Sequence, residues 1–225
     1  MTAVTTALAG VIFGFALAAP PGPMNAIIAE ESVTRSWSAG FSAGLGAMLA
    51  DVLFFALTVA GAVAVIDRYP AMRPVLYLAG GLLMLYFAAD IVQDLRNGTS
   101  FTDAGQTNAT GFRKTFVLSL TNPYQIGFWL TVGVGLLQPG TLDVFTHIPA
   151  IGAGLENVLV VQTGSPLLLA GFFAGIAVWI VVYPAALVAA GRRIDAFAPA
   201  IASLSGVVLV GFGMVFLTIG ILSFV

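Results

Sequence analysis

The chain has 225 residues, of which 59% are hydrophobic and 8% charged. An average soluble domain carries roughly 25% charge, so the composition excludes a soluble globular protein and implies an integral membrane protein with several spans. A formal net charge of -2 argues against a nucleic-acid partner, zero cysteines exclude disulfides and thiol chemistry, and one histidine leaves little to hold a metal or haem, so no cofactor is expected.

A span needs about 20 apolar residues to cross a core of about 30 Å, and six segments qualify. The first covers residues 3–19 and continues past a Pro20-Pro21-Gly22-Pro23 break to residue 29. No Lys or Arg occurs in its first twenty residues, so it reads as a retained span rather than a signal peptide. The second and third cover residues 39–66 and 74–92. A polar loop at 95–111 precedes the fourth, 112–137, which Asn122-Pro123 interrupts. A longer, mildly apolar outer loop at 138–165 leads to the fifth and sixth, 166–190 and 200–224. The apolar Val158 to Val161 run in that loop is too short to cross.

Lys and Arg accumulate on the cytoplasmic side of a membrane. With six spans, one side collects Arg35, Arg96, Arg113, Lys114, Arg192 and Arg193, and the other only Arg68 and Arg73. That asymmetry places both termini outside the cytoplasm of a cell-membrane protein. The halves also echo one another. Gly40-Phe41-Ser42-Ala43-Gly44-Leu45 matches Gly171-Phe172-Phe173-Ala174-Gly175-Ile176, and Phe13, Phe15, Leu17 and Pro20 recur at the spacing of Phe116, Leu118, Leu120 and Pro123. Leu78-Ala79-Gly80 is echoed by Leu204-Ser205-Gly206. A three-span unit crosses an odd number of times, so its second copy enters from the opposite side. The expected fold is therefore all-α and polytopic: six transmembrane helices in two inverted three-helix repeats, 1–94 and 112–225.

Asp51 sits near the middle of the second span among Met48, Leu49, Ala50, Val52 and Leu53. A carboxylate at a helix centre costs about 2.5–3.5 kcal/mol on insertion scales, so it must face the bundle interior, be protonated or pair. Such a group suits a proton carrier or a partner for a substrate ammonium. Its repeat counterpart is Val182, so the acid is asymmetric. Backbone freed from helical bonding at membrane depth survives only where protein or a polar cavity meets it. In the Pro21-Gly22-Pro23 turn, carbonyls before the break offer a cation site, amides from Met24 and Asn25 offer a carboxylate site, and Gly22 lets the backbone turn sharply. Asn122 and Pro123 supply the matching half-site. Gly40, Gly44, Gly171 and Gly175 read as helix-packing surfaces. Glu30, Glu31 and Arg35 read as a solvated cluster after the first span, Asp90 and Asp94 as interfacial near Arg96, and His147 as incidental. Tyr124, Gln125, Trp129 and Trp179 read as packing or cavity residues.

With these features in this order, the chain resembles the LysE/RhtB family of amino-acid exporters. The likeness rests on Pro21-Gly22-Pro23 closing span one, Gly40 and Gly44 with Asp51 in span two, and Asn122-Pro123 in span four. It implies a six-span exporter of amino acids or related small metabolites that exchanges substrate against protons, is not an enzyme, and is compatible with a homodimer in the lipid bilayer. The family commonly has an acid or amide directly after the turn and a lysine after the Asn-Pro pair, where this chain has Met24 and Tyr124. A divalent-cation exporter on the same scaffold and a non-transporting membrane scaffold protein stand as alternatives.

Overall fold

The computed structural model describes residues 3–61, 72–96, 109–143, 160–191 and 197–223. Most of the polar loop at 95–111, His147, Arg192, Arg193 and the middle of the outer loop lie outside the described residues, as do the side chains of Arg73, Asp94 and Arg96. Helices dominate: α1 (Ala3–Ala18), α2 (Pro23–Thr34), α3 (Trp37–Val59), α4 (Met72–Arg96), α5 (Ala109–Leu120), α6 (Pro123–Phe128), a π-helical turn (Trp129–Gly133), α7 (Val134–Leu137), α8 (Pro166–Gly191) and α9 (Phe197–Leu222).

Among the described residues, four helices are long and apolar enough to cross a membrane: Trp37–Val59, Pro74–Gln93, Pro166–Gly191 and Pro199–Leu222. The pair α1 and α2 makes a fifth if it crosses as one broken span. The fourth predicted span is not one helix. It stops at Leu120 and restarts at Pro123, because proline offers no amide and pushes Asn122 into extended geometry (φ -81°, ψ 108°). A second departure lies in the predicted outer loop, whose two ends form antiparallel strands β1 (Gly140–Asp143) and β2 (Val160–Thr163), with Gly140 opposite Thr163 and Asp143 opposite Val160. β-branched residues such as Thr141, Val161 and Thr163 favour the extended geometry of these strands.

The chain forms two compact units, each drawing on both halves of the sequence: Met1–Ala19 with Leu130–Trp179, and Pro20–Trp129 with Ile180–Val225. In the first, α1 meets the start of α8 through small residues. A Cβ on Gly10 would collide with the Leu168 carbonyl oxygen, on Gly171 with that of Ala7, and on Gly175 with that of Val11. Lipid is as apolar as leucine, so such close backbone approach, rather than hydrophobic transfer, is what holds membrane helices together. Phe15 sets its ring edge-on to Trp179, centroids 5.1 Å apart. The Gly164 amide, at φ 72°, donates to the Leu136 carbonyl at 2.8 Å and ties the β2 end to α7.

In the second unit, α3 runs beside α5 and α4 beside α9, and α2 lies against α3, α5 and α9. The α3–α5 seam is tight. Thr115 Oγ1 donates to the Ala43 carbonyl at 2.5 Å, and a Cβ on Gly46 would meet the Phe112 carbonyl. Along the α4–α9 seam, Gly81 approaches the Gly213 carbonyl and Gly220 approaches Leu78. Ile27 and Ile28 of α2, Met84 and Phe87 of α4, Leu118 of α5, and Leu209 and Phe216 of α9 are buried together in one core. Side chains such as Leu82, Leu204, Val207 and Met214 point outward, which makes these helices apolar on their outer faces too, as spans require.

Candidate functional site

Ser36 caps α3, its hydroxyl accepting from the Ala39 amide at 3.2 Å. Asp51 follows roughly midway along this helix and is 6% exposed, enclosed by protein rather than turned to the surrounding apolar medium. Its partners come from the broken fourth segment. Asn122 Oδ1 accepts from the Tyr124 amide at 3.1 Å and Pro123 occupies the first helical position, so α6 starts cleanly at the break. Gln125 and Trp129 are four residues apart on the resulting helical path and therefore share one face.

Gln125 Nε2 donates to Asp51 Oδ1 at 2.7 Å, and Trp129 Nε1 donates to the same oxygen at 2.8 Å. Trp129 is fully buried, with Phe55 and Phe128 edge-on to its ring at 6.0 Å and 5.5 Å. The π-helical turn begins at Trp129 itself, and such turns commonly mark functional positions. Both donors use Oδ1 and neither uses Oδ2. A carboxyl keeps acceptor capacity when protonated, so Gln125 and Trp129 can hold the side chain through Oδ1 in either protonation state. Reading Gln125 and Trp129 as packing or cavity residues did not identify them as partners of Asp51. Their i,i+4 spacing directly after a helix restart was the available signal.

The Pro21-Gly22-Pro23 turn forms its own set of bonds. Residues 19–22 are non-helical, α2 restarts at Pro23, and Asn25 Nδ2 donates to the Pro20 carbonyl at 2.8 Å. Asn25 thus satisfies a carbonyl freed by the break. Gly22 is extended (φ -174°, ψ 179°) with nothing within 4 Å of an added Cβ, which corrects the expectation that its conformational freedom makes the turn. The α2 N-terminus carries no side-chain cap, so its first amides are not used by a capping side chain. Gly40 faces the Ser32 side chain of α2, and Gly44 faces Ile180 of α8.

The expectation of a solvated cluster after span one is also corrected. Glu30 is 7% exposed and Glu31 1%. Arg35 Nη1 bonds Glu31 Oε2 at 2.5 Å within α2, and Thr34 Oγ1 donates to the Glu30 carbonyl at 2.7 Å. Lys114 of α5 bonds Asp90 Oδ2 of α4 at 2.7 Å, and its charge also acts on Glu30 and Glu31. Asp51 is therefore not the only deep acid. Among the described residues, no group of three His, Asp or Glu gathers in a way that would hold a metal ion.

A multi-span helical membrane protein, with a buried carboxyl positioned by a broken helix, is the class these features define. Residues 15–220 match the LysE type translocator family, and the chain belongs to it. Among curated relatives, it is 22% identical over 150 residues to the leucine efflux protein of Enterobacter sp. (strain 638), covering 66% of this chain and 71% of that one. It is 28% identical over 129 residues to the putative amino acid efflux protein YcgF of Bacillus subtilis (strain 168), covering 56% and 60%. The leucine efflux protein of Salmonella choleraesuis (strain SC-B67) is 28% identical over 135 residues, covering 59% and 62%. The matched stretches of the last two span about three fifths of those proteins. No solved structure matches the chain.

Proposed function

We propose that the protein is a secondary active exporter of amino acids or related small polar metabolites, coupled to protons through Asp51. The observation that carries the reading is the buried Asp51 carboxyl, with Gln125 and Trp129 both bonded to Oδ1. In this reading Oδ2 alternates between a proton and the substrate ammonium. The uncapped first amides of α2, after the Pro21-Gly22-Pro23 turn, meet the substrate carboxylate through the positive end of the helix dipole. Asn25 and the Asn122-Pro123 restart shape the site by fixing the two breaks.

Family membership and relatives named as amino acid and leucine efflux proteins support export of an amino acid. The proposed topology has six spans in two inverted three-helix repeats, 1–94 and 112–225, with both termini outside the cytoplasm. The function is transport, with no covalent chemistry assigned to the chain. Uptake of radiolabelled amino acids into inside-out vesicles, with and without a proton gradient, tests the proposal. Gradient-dependent accumulation of leucine or a similar amino acid is expected. Equal uptake by vesicles with and without the protein across the whole panel would overturn it.

A further inference from the structure

The chain passes between its two compact units at three places: after Ala19, after Trp129 and after Trp179. Helical hydrogen bonding is interrupted beside each of them. Residues 19–22 are non-helical ahead of the α2 restart at Pro23. Trp129 opens the π-helical turn Trp129–Gly133. Pro184 lies inside α8 and has no amide, so the Ile180 carbonyl, at the third crossing, receives no bond from four residues on.

Packing changes partner at the same points. Within the first unit, α8 is seated on α1 through Gly171 and Gly175, and Phe15 meets Trp179 edge-on. Ile180, the next residue, packs in the second unit instead, filling the space that a Cβ on Gly44 would need. Beside it, Trp37 Nε1 of α3 donates to the Val181 carbonyl at 3.1 Å. At the first crossing, Asn25 ties the Pro20 carbonyl to α2. At the second, Trp129 bonds Asp51 inside the second unit, and Leu130 begins the stretch that belongs to the first. Sharp bends in helices occur at prolines and π-turns, where the ladder of bonds is already open. Two bodies joined by several segments can turn only if every joining segment bends, and one unbroken helix would block the motion. Here each of the three carries such a defect.

We propose that the three crossings act together as one hinge on which the two units reorient, and that the Trp129–Asp51 bond sets its position. Trp129 is the last residue of the second unit at the π-turn and also a donor to the buried carboxyl. A change of charge on Asp51 therefore reaches that joint through one hydrogen bond, and a few element-terminal residues are enough to absorb the turn. The use of the hinge in transport rests on the exporter reading; the joints themselves do not.

The chain has no cysteine, so paired cysteine variants carry two spin labels and no others. Val4 of α1 and Val207 of α9 are 65% and 68% exposed and belong to different units. Double electron–electron resonance on the full chain with Val4→Cys and Val207→Cys in nanodiscs should show two distance classes. Trp129→Phe and Asp51→Asn should each shift their ratio about tenfold in the same direction, and the two together no further than either. Pro184→Ala returns an amide to the Ile180 carbonyl and should leave a single class, with Pro184→Val replacing it if the alanine variant does not fold. Labels at Val59 and Val207, both exposed and both in the second unit, should report one unchanged distance throughout.

A single class untouched by any variant, or a control pair that shifts as much as the test pair, would overturn the hinge. Two classes left in the same ratio by Trp129→Phe would overturn its link to Asp51. The expected shifts in a protein that moves no amino acid would leave the hinge standing and count against the exporter reading. Efflux with one fixed class would do the reverse.

Discussion

Replacing Trp129 by phenylalanine removes one donor from Asp51 and keeps an aromatic ring between Phe55 and Phe128. The smaller ring leaves some empty volume, a cost common to any background, so the informative quantity is the coupling between Trp129→Phe and Asp51→Asn in a double-mutant cycle. Two magnitudes bracket the outcome. A neutral inter-helix hydrogen bond in a membrane bundle couples by about 0.6 kcal/mol, whereas a bond to an ionised group is worth about 1.5–3 kcal/mol. Here the bond is 2.8 Å long, the indole is fully buried and the acceptor is 6% exposed, so little water is at hand to replace the lost donor. Gln125 still donates to the same oxygen at 2.7 Å, which softens the loss. The expected coupling at pH 8 is therefore about 1.5–2 kcal/mol, near the lower end for an ionised acceptor. Unfolding by SDS in mixed micelles, followed by far-UV circular dichroism, measures all four corners of the cycle. Additivity to within about 0.5 kcal/mol would refute the claim that Trp129 holds the Asp51 carboxylate.

Other substitutions separate the parts of the account. Gly175→Ala places a methyl against the Val11 carbonyl and should cost about 1–3 kcal/mol, whereas Gly211→Ala meets nothing within 4 Å and should be stabilising by up to about 1 kcal/mol in the same unfolding assay. Arg35→Gln leaves Glu31, 1% exposed, without its ion pair; discounted for the partial exposure of Arg35, the cost should be about 2–3 kcal/mol. Pairing it with Glu31→Gln should recover most of that loss. Asn122→Ala removes the cap at the α6 restart and should cost about 1 kcal/mol. It should also weaken substrate binding measured by ligand-induced thermal stabilisation, because Gln125 and Trp129 depend on that restart.

The sequence shows where the helices break but not what the breaks position. A carboxyl flanked by Met48, Leu49, Ala50, Val52 and Leu53 has to be enclosed, and a proline after Asn122 has to restart a helix, so both readings follow from local chemistry. The partners of Asp51 are 74 and 78 residues away in the chain. Glutamine and tryptophan serve many purposes in spans, and only the fold singles out these two. Glu30 and Glu31 mislead for the opposite reason: charges after a proline break look like the end of a span. The helix instead continues to Thr34 between α3, α5 and α9, where Arg35 and Lys114 compensate them. The strand pair β1–β2 is equally hidden, since its register depends on a partner across the loop rather than on either tetrapeptide alone.

The most direct measurement is proton movement driven by substrate in proteoliposomes carrying the parent protein or Asp51→Asn, read with an internal pH dye during efflux of the best-transported amino acid. Antiport at Asp51 leads to internal acidification that tracks substrate efflux in the parent and vanishes in Asp51→Asn, while the variant still inserts and folds. Proton flux of the same size in Asp51→Asn would contradict it.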